Sequence, residues 1–526
     1  MRRTLLLAAV VTAVCVLGLD LELPALSERA VGSVSAMLTG FGHPDLSPEA
    51  LQRAAWLGLQ TLAVAIVGTS LGAAMGLGLS VLGASAAASP RPSTIRRLGV
   101  EALRLGLDGL RALPDFAWAL ALLLVLGPGP ITGALAVALS VTGILGRAFG
   151  QLLESVPAGS VRAIEGLGGA PVVSILYGRL PRIAPAAWSY GLARLECSIR
   201  NASVIGIVGG GGLGAELFEE LGYGRMDRVA TLLLGLVLLT VTADVGSAAL
   251  RRRVSSVGAA GRRRALRAAL LVTLAAAAAL TPAVFDLVET LARLDPRVAT
   301  QTVTRLLQPD LSAQTLREAL WGAGPPLALA WLSTVTATTL ALALLPWTST
   351  IVRRRRRGPA APENPLSIAG AWALRGAALL GRGVPEVAWL LLFAAAVGMG
   401  ALPALVALSV HATGVLVRLF TEAVDDRFAG APRTSIGAGA GVGWLLYIAL
   451  PRLRGHLVTH GALQAESNLR AAYTLGILGA GGIGEAFQGA LSFWQLERAS
   501  TLALAMLVLF VGLDRLGRRL GRPPQR

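Results

Sequence analysis

The sequence predicts an all-α, polytopic membrane protein with about twelve transmembrane helices, arranged as two parallel six-helix repeats. Three features carry that prediction: a surplus of apolar length, arginines that gather at every second loop, and an internal duplication. Of the 526 residues, 54% are hydrophobic and only 15% are charged, far more apolar length than a soluble core of this size needs. A spanning helix needs about 20 predominantly apolar residues. Such stretches lie at roughly 4–19, 53–84, 99–126, 130–150, 183–208 and 228–250, and again at roughly 264–283, 318–348, 367–397, 400–424, 453–478 and 497–516. Segment 53–84 is longer than a bilayer requires, so it must tilt, kink or project into water. Its Gly68, Gly72, Gly76 and Gly78 supply points for close packing or kinking.

Arginine placement sets the orientation, because short cytoplasmic loops are enriched in it. The clusters are Arg2 and Arg3, Arg91 with Arg96 and Arg97, Arg251 to Arg253 with Arg262 to Arg264, Arg353 to Arg357, and Arg515 with Arg518 and Arg519. The intervening segments 20–50 and 284–315 carry Asp20, Glu22, Glu28, Asp45, Glu49, Asp286, Glu289 and Asp295, with fewer arginines. Both termini are thereby predicted to be cytoplasmic. The N-terminal apolar run resembles a signal peptide, but Asp20 and Leu21 to Leu23 stand where a small-residue cleavage site would be, so it reads as a retained first helix.

The duplication is visible in polar residues and glycines. RALPDFAW at Arg111 to Trp118 recurs as RGVPEVAW at Arg382 to Trp389. At the same offset, Gly127, Gly129, Gly143, Arg147 and Phe149 map onto Gly398, Gly400, Gly414, Arg418 and Phe420. ECSIRNASVIGIVGGGGLG, Glu196 to Gly214, recurs at nearly the same offset from Glu466 to Gly484, with nine of nineteen positions identical. The repeats are placed at 1–258 and 259–526. An even number of spans per copy makes them enter the membrane the same way round, with the pathway on an axis along the membrane normal.

Composition also excludes functions. The formal charge is +17, yet the basic residues punctuate apolar runs and do not form the polar, aromatic-interleaved surface of a nucleic-acid module. All 47 basic residues are arginines, which rules out a Walker-type phosphate loop, since that motif needs its lysine. Any ATP and Mg must therefore sit on another polypeptide. Cys15 and Cys197 fall in apolar stretches and behave as small hydrophobes. His43, His411, His456 and His460 have no partners at metal-ligand spacing, and no nucleophile triad or catalytic carboxylate pair stands out. No chemistry on the substrate and no metal site are expected.

The loop from about Gln151 to Arg182 carries VRAIEGLGGAPVVSILYGRLP, a short helix, a glycine turn and a proline-started helix. Such a knob can pass on a partner's movement, or it can be an ordinary connection. Its spacing of alanine, glycine and leucine-proline resembles the coupling segment of ABC importer permeases. The blocks RALPDFAW and ECSIRNASVIGIVGGGGLG resemble those of the phosphonate-transport permease family, over about residues 50–255 and 310–520. The resemblance implies a type I ABC importer permease fold, a separate ABC ATPase homodimer docking on the coupling loops, and an extracytoplasmic substrate-binding protein that delivers a phosphonate or phosphate-like anion. The family's coupling motif falls on Ala163, Gly168 and Pro181, with Arg162 where the family usually has glutamate. In the second copy it falls on Gly437 or Gly439 and on Pro451, again without an acidic residue.

Four further groups of residues are candidates. Glu196 and Arg200, repeated as Glu466 and Arg470, lie four apart on one helix face. They form either a structural ion pair or a pathway site in which the arginines meet an oxyanion. The runs Gly209, Gly211, Gly212, Gly214 and Gly479, Gly481, Gly482, Gly484 should break their helices, with backbone covered by protein or water. Freed amides there could meet an anion, although Glu216, Glu219 and Glu220 oppose it. Pro114 and Pro385 interrupt membrane helices beside Asp115 and Glu386 and are hinge candidates. The rival to an ATP-driven importer is an ion-coupled secondary transporter, which also uses parallel six-helix halves; the long cytoplasmic loop in each half favours the importer.

Overall fold

The structure is a computed structural model, and it describes residues 2–19, 42–87, 93–157, 170–256, 294–357, 364–428 and 441–520, with scattered positions in 32–40, 164–166 and 264–292. Every regular element among the described residues is helical. Two compact units form, Ser35–Gln308 and Pro309–Arg526, the latter joined by Met1–Val34. The first helix, Arg2–Gly18, thus packs with the second copy, where the Trp331 indole donates to the Thr12 hydroxyl at 3.0 Å. The boundary at 258–259 lies outside the described residues.

Among the described residues, six helices are long and apolar enough to cross a membrane, and up to eight spans result if two bent pairs each count as one. The other expected spans are accounted for by length and charge. Arg2–Gly18 has 17 residues, segment 264–283 is described only in interrupted stretches, and the helices Leu180–Ile205 and Leu450–Leu475 each carry several charged residues.

Segments 99–126 and 367–397, expected as single spans, are each two helices. Thr94–Ala112 meets Asp115–Leu126 at 93°, and Pro365–Gly383 meets Glu386–Val397 at 94°. The cause is local: Pro114 (φ −64, ψ 152) and Pro385 (φ −59, ψ 148) are extended N-cap residues of the second helix, because proline cannot supply the amide that would continue the first. Thr94–Ala112 places Arg97, Glu101, Arg104, Asp108 and Arg111 at helical spacing, a charged stripe that suits a helix lying along the bilayer interface. Across each bend the tryptophan closes the corner: Trp118 donates to Leu110 O and Trp389 to Gly381 O, both at 3.1 Å.

In the Ser35–Gln308 unit, the helices Pro48–Ala87 and Pro130–Ser155 pack backbone to backbone. A Cβ at Gly68 or Gly72 would stand 2.6 Å from Ala134 O or Ala138 O, and one at Gly76 would stand 2.9 Å from Gly146 N. Small residues allow this approach. Gly78, by contrast, faces open space and takes no part in it.

Candidate functional site

The segments expected to couple, 158–169 and 429–440, precede the proline-started helices in sequence. Arg162, Ala163, Gly168, Gly437 and Gly439 lie outside the described residues. Pro181 and Pro451 open the Leu180–Ile205 and Leu450–Leu475 helices, each preceded by a π-turn, Ser174–Arg179 or Leu445–Ala449. The roots of the loops are tied by ion pairs that the sequence reading missed. Arg104 pairs with Glu154 at 2.7 Å, and their repeat counterparts Arg375 and Asp425 pair at 3.4 Å. The signal was present, since the offset between the two pairs is the one that links Arg111 to Arg382. Asp425 also accepts from Ser349 Oγ at 2.6 Å and from the amides of Thr350 and Ile351 at 3.3 Å, while Arg375 donates to Thr348 O at 2.5 Å. One carboxylate thereby joins three helices just before segment 429–440.

At the first bend, Asp115 is buried and accepts from Arg194 at 3.1 Å and from Asn201 at 2.5 Å. The repeat keeps the acid and changes its partners. Glu386 stands 3.9 Å from His411 Nε2, whose Nδ1 is 3.2 Å from Val384 O, and the counterparts of Arg194 and Asn201 are Gln464 and Ala471.

The glycine runs do break their helices. Gly209 (φ +92), Gly211 (φ +74) and Gly212 (φ +80) lie in the left-handed region, as do Gly479 (φ +104), Gly481 (φ +93) and Gly482 (φ +79), where a side chain would be strained. Gly214 and Gly484 are needed for another reason: a Cβ there would collide with Ser203 O or Tyr473 O. Two of the amides freed in the first copy are already taken, because Gly212 N donates to Gln60 Oε1 at 3.3 Å and Leu213 N to Thr61 Oγ1 at 2.9 Å.

The Glu196–Arg200 pair expected along one helix face does not form. Glu196 accepts instead from Arg251 at 2.6 Å and from the Ser247 hydroxyl, both on the Met226–Ser256 helix, because a cross-helix guanidinium reaches it more directly than one a turn away. Arg200 is left with no ion pair among the described residues, and its Nε is buried without a hydrogen-bond partner. In the second copy, Gly517 and Gly521 stand where Ser247 and Arg251 do. Glu466 and Arg470 are both engaged with neighbours, and the Arg470 guanidinium lies 5.5 Å from the centre of the Phe510 ring.

A second difference lies on the opposite face of the same helices. In the second copy, Asn468 accepts from Gln464 at 2.8 Å and donates to Ser333 at 2.9 Å and Thr334 at 3.0 Å. The equivalent residues in the first copy are Ser198, Arg194, Gly68 and Thr69, and there Ser198 Oγ, Arg194 Nε and Thr69 Oγ1 are buried without partners.

The register that equates these positions is a third repeat block. PDLS at Pro44 to Ser47 recurs at Pro309 to Ser312, a match that sequence inspection could have found. Its bonds repeat too: Asp45 N donates to Asp227 O at 3.2 Å and accepts through its carbonyl from Thr231 at 2.7 Å, while Asp310 N donates to Glu497 O at 3.0 Å and accepts from Thr501 at 2.7 Å. The hydroxyl and then the amide of Ser47 hold the Asp45 carboxyl below its ordinary value, and Thr315 and the Ser312 amide do the same for Asp310. No cluster of His, Cys, Asp or Glu able to hold a metal occurs among the described residues.

Comparison with known proteins agrees with this two-copy architecture. The chain is similar to the phosphate-import permease protein PhnE of Mycolicibacterium smegmatis, 27% identical over 500 residues that cover 92% of this chain and 88% of that protein. It is also similar to the phosphite transport system permease protein PtxC of Stutzerimonas stutzeri, 30% identical over 194 residues, 37% of this chain and 68% of PtxC. A more distant likeness is to the probable D-methionine transport system permease protein MetI of Vibrio cholerae, 28% identical over 217 residues, 39% of this chain and 93% of MetI. No solved structure matches. The profile of the binding-protein-dependent transport system inner membrane component matches twice, over residues 79–256 and 360–523, and with one match in each copy the chain belongs to that family as a fused, duplicated ABC importer permease.

Proposed function

We propose that this chain forms the membrane pathway of an importer for phosphonate-, phosphite- or phosphate-type oxyanions. A separate ABC ATPase homodimer drives it, and an extracytoplasmic binding protein loads it. The observation that carries the substrate class is the 500-residue alignment with a phosphate-import permease, which runs through both copies, together with the alignment to a phosphite permease. The absence of lysine supports placing ATP and Mg on the partner, since this chain cannot build the phosphate loop that would bind them.

In this reading the segments 158–169 and 429–440 receive the ATPase, and the ion pairs Arg104–Glu154 and Arg375–Asp425 pass its movement into the bundle. The bends at Pro114 and Pro385 are the hinges. The helices carrying Glu196 and Arg200, and Glu466 and Arg470, line the route, and the glycine breaks at Gly209 to Gly214 and Gly479 to Gly484 shape it. Both termini are cytoplasmic, on the side of the arginine clusters.

Uptake of radiolabelled phosphite and phosphate into vesicles holding the chain, its ATPase and its binding protein tests this. Uptake that requires ATP and the binding protein is the expected result. Uptake driven by an ion gradient with no ATPase present would overturn it.

A further inference from the structure

The two copies share the Glu–Arg pair in sequence but not in structure, and the difference isolates one cation. On the Leu180–Ile205 helix, Arg194 is held by Asp115 and Arg182 donates to Gly178 O at 3.0 Å. Arg200 alone has neither an ion pair nor a side-chain hydrogen bond among the described residues. The carboxylate one turn before it, Glu196, is already taken by Arg251 and Ser247. The residue equivalent to Phe510, on which Arg470 stacks, is Thr240, and Thr240 donates its hydroxyl to Leu236 O at 2.9 Å. The ring that Arg470 lies against in the second copy is thus absent beside Arg200, and the nearest carboxylate on its own helix is spoken for.

A permanent cation in a membrane bundle is costly unless something of opposite charge meets it. A guanidinium presents paired N–H groups that match the oxygens of a phosphoryl group, a geometry that a point charge lacks. We propose that Arg200 is the residue that holds the transported oxyanion in passage, and that Arg470, its repeat counterpart, is not. The site is one-sided: the second copy has retired its arginine into packing. The role rests on the importer reading above. Its chemistry calls for an anion that offers at least two acceptor oxygens to the paired N–H groups, and a neutral solute would not satisfy it.

Two measurements on the full chain in nanodiscs test this, with inorganic phosphate and phosphite as the probes. In the first, the wild-type protein is treated with an arginine-selective dicarbonyl reagent and modification is mapped by peptide mass spectrometry. Phosphate should protect Arg200 severalfold and leave Arg470 unchanged. In the second, equilibrium binding of labelled phosphate is compared across variants. Arg200→Gln should weaken binding about tenfold or more, Arg200→Lys should lie between that and wild type, and Arg470→Gln should bind as wild type does. If Arg200→Gln does not fold, the Arg200→Lys variant and the protection map still decide. Equal protection of both arginines, no protection of either, or unchanged binding in Arg200→Lys and Arg200→Gln would overturn the proposal. Wild-type uptake separates the failures: ATP-driven uptake without Arg200 protection sinks this inference alone, whereas absence of ATP-driven uptake sinks the importer reading.

Discussion

Replacing Asn468 by alanine should destabilise the second unit far more than the same change at Ser198 destabilises the first. Asn468 is 2% exposed and makes two hydrogen bonds across a helix interface, to Ser333 and Thr334, and one along its own helix, from Gln464. Interhelical hydrogen bonds in membrane proteins average about 0.6 kcal/mol each, so the pair contributes about 1.2 kcal/mol. The stranded Gln464 amide adds about 1–3 kcal/mol. The sum is about 2–4 kcal/mol, large against the marginal stability of most folds. Ser198 Oγ has no partner to lose, so Ser198→Ala should cost under about 0.5 kcal/mol. Ser198→Asn offers Thr69 the one bond that the second copy makes to Thr334 and should gain up to about 1 kcal/mol. Denaturant unfolding in lipid nanodiscs, followed by a reporter in each unit, measures all three. Equal losses from Asn468→Ala and Ser198→Ala would refute the reasoning, because the two copies would then not differ as their bonding does.

Other consequences are open to direct measurement. Arg194→Leu leaves Asp115 buried with only Asn201 beside it and should cost about 3–5 kcal/mol, whereas the double change Arg194→Leu with Asp115→Leu should recover most of it; matched losses in the single and double variants would contradict this. Gly214→Ala drives a methyl into Ser203 O and should cost about 1–3 kcal/mol, while Gly222→Ala, which meets nothing within 4 Å, should be neutral in the same melt. Asp45 is held below its ordinary value of 3.8 by Ser47. Its stabilising contribution is complete above that value and is lost as pH falls through the lowered folded one. Amide protection near Asp45 should therefore drop on acidification in wild type and lose that pH dependence in Asp45→Asn. Asp425→Ala removes the junction at the root of segment 429–440 and should lower ATP-driven uptake at least tenfold with folded yield retained; unchanged uptake would remove Asp425 from the coupling route.

Much of the architecture was legible because a duplication writes itself twice. Glycines, prolines and acids at constant spacing marked the bends and breaks before any coordinates, since each of those residues forces the backbone locally. The direction of the partnerships was not legible. Glu196 and Arg200 are four residues apart, the spacing at which helix neighbours meet, yet Glu196 reaches across to Arg251, which is 55 residues away. Sequence spacing reports only neighbours on one helix, and which side chain wins a carboxylate is settled by how helices from distant segments cross. The right-angle bend at Pro114 was underread as a kink for a similar reason. The apolar run after Pro114 was continued backward over a helix that carries Arg104, Asp108 and Arg111, whereas the proline itself sets the turn in both copies. The PDLS block was overlooked because its offset is shorter than that of the other two blocks.

The unlike bonding of the helices Leu180–Ile205 and Leu450–Leu475 bears on what the fusion made permanent. Each half now carries side chains adjusted to one role, an open set of donors in one and a closed amide network in the other. A protein assembled from two first halves would double the unanswered donors and the unpaired cation, and one made from two second halves would have neither. Two chains cut between the copies should therefore transport only when both are made together, the result expected if Arg200 alone meets the anion.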